Sequence, residues 1–300
     1  LAPMLPLLFT ASVLSACCLT ESSCLSHDDL RELKTQFAIS LYQHVARAEN
    51  RSNLVLSPAS VAVSLELLQL GAQGNTFAEL RDALGYSIHG KALFKKLLSA
   101  LVPAGPSGGG GRARPACSLF VGAAVELSPL FAARAARWAR GSLQRADFSA
   151  AGAAAARVRQ WIRANTGDGN VPSMSLETAA SPLNQIAVVS TMYFKSTWQK
   201  KFSFMDTQML PFTTAEGSTL KVPTMHHTAE VNYGRFQTAS LEALSVLELP
   251  YVGEEISLLV LLPSHRGSSL ARLESHLSAR ALALWAGSLK RMRMDVFLPR

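Results

Sequence analysis

The sequence predicts an α+β fold in one large domain. Helical signatures fill the first third of the chain, while apolar runs rich in branched residues and one alternating run mark the remainder as strands. Of 300 residues 48% are hydrophobic, and no long polar linker separates the apolar blocks, so a single substantial core can form.

The chain opens with an apolar, acid-free run, Leu1 to Cys18, ending in Leu14-Ser15-Ala16, which reads as a secretory leader with a small-residue cleavage site over residues 1–18. Leu1 without a basic start implies an incomplete leader. Leu14-Ser15-Ala16-Cys17 also has the form of a lipoprotein cleavage site, an alternative that would lipidate Cys17. The run is too short and too interrupted by Pro3 and Pro6 to span a bilayer, and no later stretch reaches the length of about 18 apolar residues that a span needs. The domain itself is placed at residues 25–300.

Leu30, Leu33, Phe37, Leu41 and Val45 recur at helical spacing and give a first helix. Asn50-Arg51-Ser52 in the polar turn that follows is the glycosylation sequon, making Asn50 the expected acceptor on a secreted chain. Asn53–Leu56 reads as a short strand. Ser57-Pro58 supplies a capping hydroxyl and a proline at the first helical position, opening a second helix through Val61, Leu65 and Leu68 to Gly71. Thr76 and Glu79 form a capping box for a third helix that stops at Gly85. The segment Pro103–Pro115, with Gly108 to Gly111, reads as a loop. Phe131 to Arg163, rich in Ala and Arg, reads as helix anchored by Phe148 and Trp161. Ile186 to Phe194 and Ile256 to Leu262 read as strands buried on both faces. The alternation of Met292, Met294, Val296 and Leu298 gives a last strand.

Several motifs point to chemistry and fall short of it. Gly85 to Lys91 imitates a phosphate loop, but Ala92 replaces the magnesium-binding hydroxyl and a helix precedes it instead of a strand. His226-His227 has no carboxylate or cysteine at ligand spacing and reads as a solvated turn. The two commonest hydrolase signatures, a Gly-x-Ser-x-Gly elbow and a His-Glu-x-x-His helix, do not occur, so an enzyme is not expected, nor a cofactor or metal. Of four cysteines only Cys117 lies inside the domain, which excludes a disulfide framework. The formal net charge of +8 favours polyanions. Lys91, Lys95 and Lys96, with Arg134, Arg137, Arg140 and Arg145 on one helix, form a candidate basic patch, set against the plainer reading of a solvated helix face.

Four blocks in order carry a resemblance: Asn53-Leu-Val-Leu-Ser57-Pro58-Ala-Ser60-Val with Leu65 to Thr76; Val189 to Trp198 with Phe202; Leu249-Pro250-Tyr251 with Leu258 to Pro263; and Val296 to Pro299. In these the chain resembles the serpins, near the plasminogen-activator-inhibitor and protease-nexin branch. The resemblance implies helices packed on a large central mixed sheet with a second sheet behind. It also implies a secreted inhibitor whose exposed reactive loop, once cut, inserts into the central sheet and traps a serine protease. By the same resemblance Ser57, Ser60 and Ser190 match the polar cluster under the sheet where strands part, and Trp198 the aromatic residue where insertion begins. Ser190 stands where the family usually has asparagine, which removes an amide from that cluster, and Arg159 replaces another frequent asparagine. The turn from Thr166 to Val171 is one residue longer than usual. The family continues past Pro299 with two central strands, a hinge, the reactive loop and final strands. The chain is therefore expected to represent the N-terminal three-quarters of the domain, and by itself neither to inhibit nor to be stably native. The expected partners are a serine protease and a heparin-like glycosaminoglycan, with no nucleic acid. The alternative is a non-inhibitory serpin that binds glycosaminoglycans or carries a ligand.

Overall fold

The computed structural model describes residues 26–48, 53–90, 112–138, 143–166, 181, 185–214, 217–237, 243–263 and 270–300. The leader, Asn50, the three candidate lysines and most of the turn after Thr166 lie outside the described residues.

Helix α1 (His27–Ala48) begins at a reciprocal cap: the Asp29 amide donates to Ser26 Oγ and the Ser26 amide to Asp29 Oδ2, each at 3.0 Å. Its stripe delivers Leu30 and Phe37 to the core. Helix α2 (Pro58–Gln69) starts as the sequence predicts, Ser57 Oγ accepting the Ser60 amide with Pro58 in the first turn. Asn53–Leu56, expected as a strand, forms no ladder among the described residues and Val55 is exposed. Branched residues give it extended propensity, but a strand also needs a partner.

Helix α3 (Gly74–Leu84) begins two residues before the expected capping box, from Gln73, whose side chain makes no cap hydrogen bond; Gly85 ends it in the left-handed conformation, φ 80°. The chain then turns inward. Buried Gln69 of α2 holds that turn, donating to the Tyr86 carbonyl at 3.2 Å and accepting the Ile88 amide at 2.6 Å. This satisfies backbone groups that the core would otherwise leave unpaired.

The expected Ala/Arg-rich helix is two helices, α4 (Pro129–Trp138) and α5 (Ala151–Thr166), with strand β2 (Leu143–Ala146) between them. Propensity favours helix throughout, yet β2 pairs parallel with β1 (Arg112–Gly122), and that ladder overrides it. Pro115, assigned to a loop, sits within β1. Strand β3 (Ile186–Lys195) pairs antiparallel with β1, giving a mixed sheet in the order β2-β1-β3. Helix α2 packs on one face of this sheet and α5 on the other. Phe120, on the α5 side, and Leu67, on the α2 side, are wholly buried. Even so, β3 is less enclosed than expected, its last residues Phe194 and Lys195 being exposed.

The second sheet is antiparallel: β4 (Gln208–Thr213), β5 (Thr219–Gln237), β6 (Ala243–Pro250) and β7 (Ser257–Pro263) run side by side, and β8 (Lys290–Pro299) lies on the other side of β5. Helices α6 (Leu270–Ser275) and α7 (Ala279–Gly287) cover one face through Leu273 and Trp285, which meet Leu244 and Val246. β7 is half-buried instead of covered on both faces, with Leu262 exposed. His226 and His227, expected in a turn, lie in the middle of β5, because β5 and β8 pair from Thr224 to Tyr233.

Candidate functional site

The serines at the start of α2 form one polar row. Ser57 Oγ and Ser60 Oγ are 3.1 Å apart, and Ser64, one turn on, donates to the Ser60 carbonyl at 3.1 Å. Positions 57, 60 and 64 recur at three and four residues, so all three share the face that meets the sheet. Ser64 Oγ reaches Cys117 Sγ of β1 at 3.7 Å. Cys117 is directly opposite Ser190 in the β1–β3 ladder, and paired residues share a face, so Ser190 is also on the α2 side. The fold thus brings Ser57, Ser60 and Ser190 to one side of the sheet, with Ser64 and Cys117 between them. Sequence reasoning missed these two; the i+4 step from Ser60 to Ser64 was the readable signal.

The Cys117 thiol is pushed up to about 11, first by burial and against a hydrogen bond with Ser64. It is a packed, un-ionised group. On the opposite face of β3, Thr191 Oγ1 is buried without a hydrogen-bond partner among the described residues.

Trp198 follows the end of β3 and belongs to a different arrangement. It stacks on Tyr251 at 4.3 Å between ring centroids with the planes 11° apart, and Phe194 meets Tyr251 edge-on at 5.3 Å. Backbone bonds knit the same segments: Val252 donates to Thr197 at 2.9 Å and Gln199 to Pro250 at 3.0 Å. Trp198 also packs on the core of the second sheet with Phe202. The exit of β3 is therefore fastened to the second sheet through an aromatic stack.

The basic residues do not form one helix face. Arg134 and Arg137 are exposed and three residues apart on α4. Arg145 is on β2, donating to the Gly122 and Val125 carbonyls at 3.0 and 2.7 Å. Arg140 lies outside the described residues. His226 Nε2 is 3.4 Å from Asp295 Oδ1, and Thr228 also donates to Asp295, holding that carboxyl below its ordinary range. Among the described residues no three metal-ligating side chains converge, and no helix is long and apolar enough to cross a membrane.

Known proteins share this fold. The family model described as serpin (serine protease inhibitor) matches residues 32–300. The chain is 41% identical over 280 residues to probable serpin E3 of Danio rerio, which covers 90% of this chain and 67% of that protein. It is 30% identical over 278 residues to neuroserpin of Mus musculus, covering 90% of this chain and 66% of the relative. The chain thus spans about two thirds of the length of the curated relatives it matches. A crystal structure of native protease nexin-1 with heparin superposes with a TM-score of 0.83 at 26% identity, covering 90% of this chain and 73% of that one. Sequence and fold agree, and the chain belongs to the serpin family of serine protease inhibitors.

Proposed function

We propose that the protein is a secreted inhibitor of serine proteases that works by the serpin trap. The observation that carries this reading is the serpin match over residues 32–300, with the polar row of α2 set under the mixed sheet. In this reading a cleaved loop inserts into the sheet that holds β3, Ser57, Ser60 and Ser190 line the sheet face that slides as strands part, and Trp198 stands where insertion begins. Residues 1–18 act as the export leader, and Asn50 carries a glycan.

The test uses protein expressed from the complete reading frame, mixed with a panel of trypsin-like proteases. The expected product is a covalent complex that survives SDS. Cleavage of the loop with no complex would overturn the inhibitor reading and leave a non-inhibitory serpin.

A second reading adds a glycosaminoglycan partner. It rests on exposed Arg134 and Arg137 on α4, a helix without an acidic residue, and on the likeness to protease nexin-1, whose structure was determined with heparin. Lys91, Lys95 and Lys96 complete the proposed site. Alanine at these five positions is expected to lower the salt needed for elution from immobilised heparin; unchanged elution would sink the site.

A further inference from the structure

Glu66 is a carboxylate on the helix that underlies the sheet, and it is only 1% exposed. It lies two residues beyond Ser64, about 200° further round the helix axis, so it points away from the sheet while Ser64 points toward it. Oε1 accepts the Tyr86 hydroxyl at 2.5 Å and is 3.5 Å from Lys34 Nζ of α1. Oε2 has no hydrogen-bond partner among the described residues. The ionisable groups that face it are Lys34 from α1 and Tyr86 from the turn after α3; the Cys117 thiol of β1, on the other side of the helix, is near enough for the Glu66 charge to oppose its ionisation.

An ionised carboxylate in such a place is costly unless fully paired, and Lys34 is partly in water, where its attraction is screened. We infer that Glu66 is a proton-operated latch on the seat of α2: a proton taken up on Oε2 makes the buried group neutral and the helix seat firm, and its loss loosens the seat. Oε1 keeps the Tyr86 hydrogen bond in both states. Burial outweighs Lys34 and Tyr86 and holds the carboxyl above its ordinary range. Because the folded-state value is raised, the stabilisation is complete below the unfolded glutamate value and is lost as pH rises through the folded one. The latch does not depend on the inhibitor reading.

The test is the unfolding equilibrium of the full chain in urea from pH 4 to pH 8, with Glu66→Gln and Lys34→Met beside the natural sequence. Glu66→Gln keeps an acceptor for Tyr86 and cannot titrate. The natural chain should lose stability with rising pH, by about tenfold in the folding constant for each unit separating the folded and unfolded values. Glu66→Gln should remove that component, and Lys34→Met should move it to higher pH. Carbon-13 carboxyl NMR of the natural chain reads the same titration if Glu66→Gln fails to fold. A Glu66 midpoint near the ordinary value of about 4.3, or an unchanged slope in Glu66→Gln, would overturn the latch. A raised midpoint in a protein that forms no protease complex would keep the latch and discard the inhibitor reading.

Discussion

At the scale of the residue, burial decides what each group can do. Cys117 illustrates this: it is 4% exposed, its thiol is pushed up to about 11, and Ser64 lies at 3.7 Å. A thiolate is the reactive form, so iodoacetamide at pH 8 should leave Cys117 unlabelled in the folded protein and modify it after denaturation, as peptide mapping will show. Labelling of the native protein at the rate of a free thiol would mean that the α2–β1 contact opens readily. Ser57 was legible in the sequence because a cap is a local device of a few residues. The reach of Ser64 to Cys117, and the burial of Glu66 against Lys34 and Tyr86, were not, because those partners are brought together by packing across long stretches of chain.

At the scale of the element, propensity set most helices and pairing set the exceptions. The stretch from Phe131 to Arg163 reads as helix residue by residue, yet Leu143–Ala146 is a strand because β1 offers a ladder beside it. His226-His227 looked like a turn because polar pairs often are, whereas β8 pairs that stretch of β5 and keeps it extended. The close fit of the turn after α2 to α4 yields a prediction. A Cβ on Gly71 would stand 2.8 Å from Phe131 Cδ2. Gly71→Ala should therefore lower stability by about 1–3 kcal/mol through overpacking, against a gain of at most about 1 kcal/mol from stiffening the unfolded chain. The urea midpoint measures it, and adding Phe131→Leu should restore part of the loss. A neutral or stabilising Gly71→Ala would show that the ring moves aside freely.

At the scale of the whole molecule, the two sheets are joined where β3 ends. The Trp198–Tyr251 stack and the backbone bonds around it couple the exit of the first sheet to the second, so parting strands at β3 must work against this fastening. A trap driven by strand insertion requires the sheet that holds β3 to open, so the covalent protease complex is the outcome expected at this scale. A complex formed only after Trp198→Ala would mean that the stack holds the sheet shut; a complex formed by the natural protein means that insertion overcomes it. The sequence by itself determined the α+β class, the amphipathic first helix, the capped second helix, the strands at Ile186, Ile256 and Met292, and the family, because these depend on short-range periodicity, capping and local motif. Only the tertiary structure decided that an Ala-rich segment is broken by a strand, that two histidines lie in a ladder, that Arg145 holds backbone carbonyls and that Glu66 is enclosed. Each of these depends on which distant segment supplies the partner, and the energy of a ladder, a buried charge or a packed face exists only once that partner is in place.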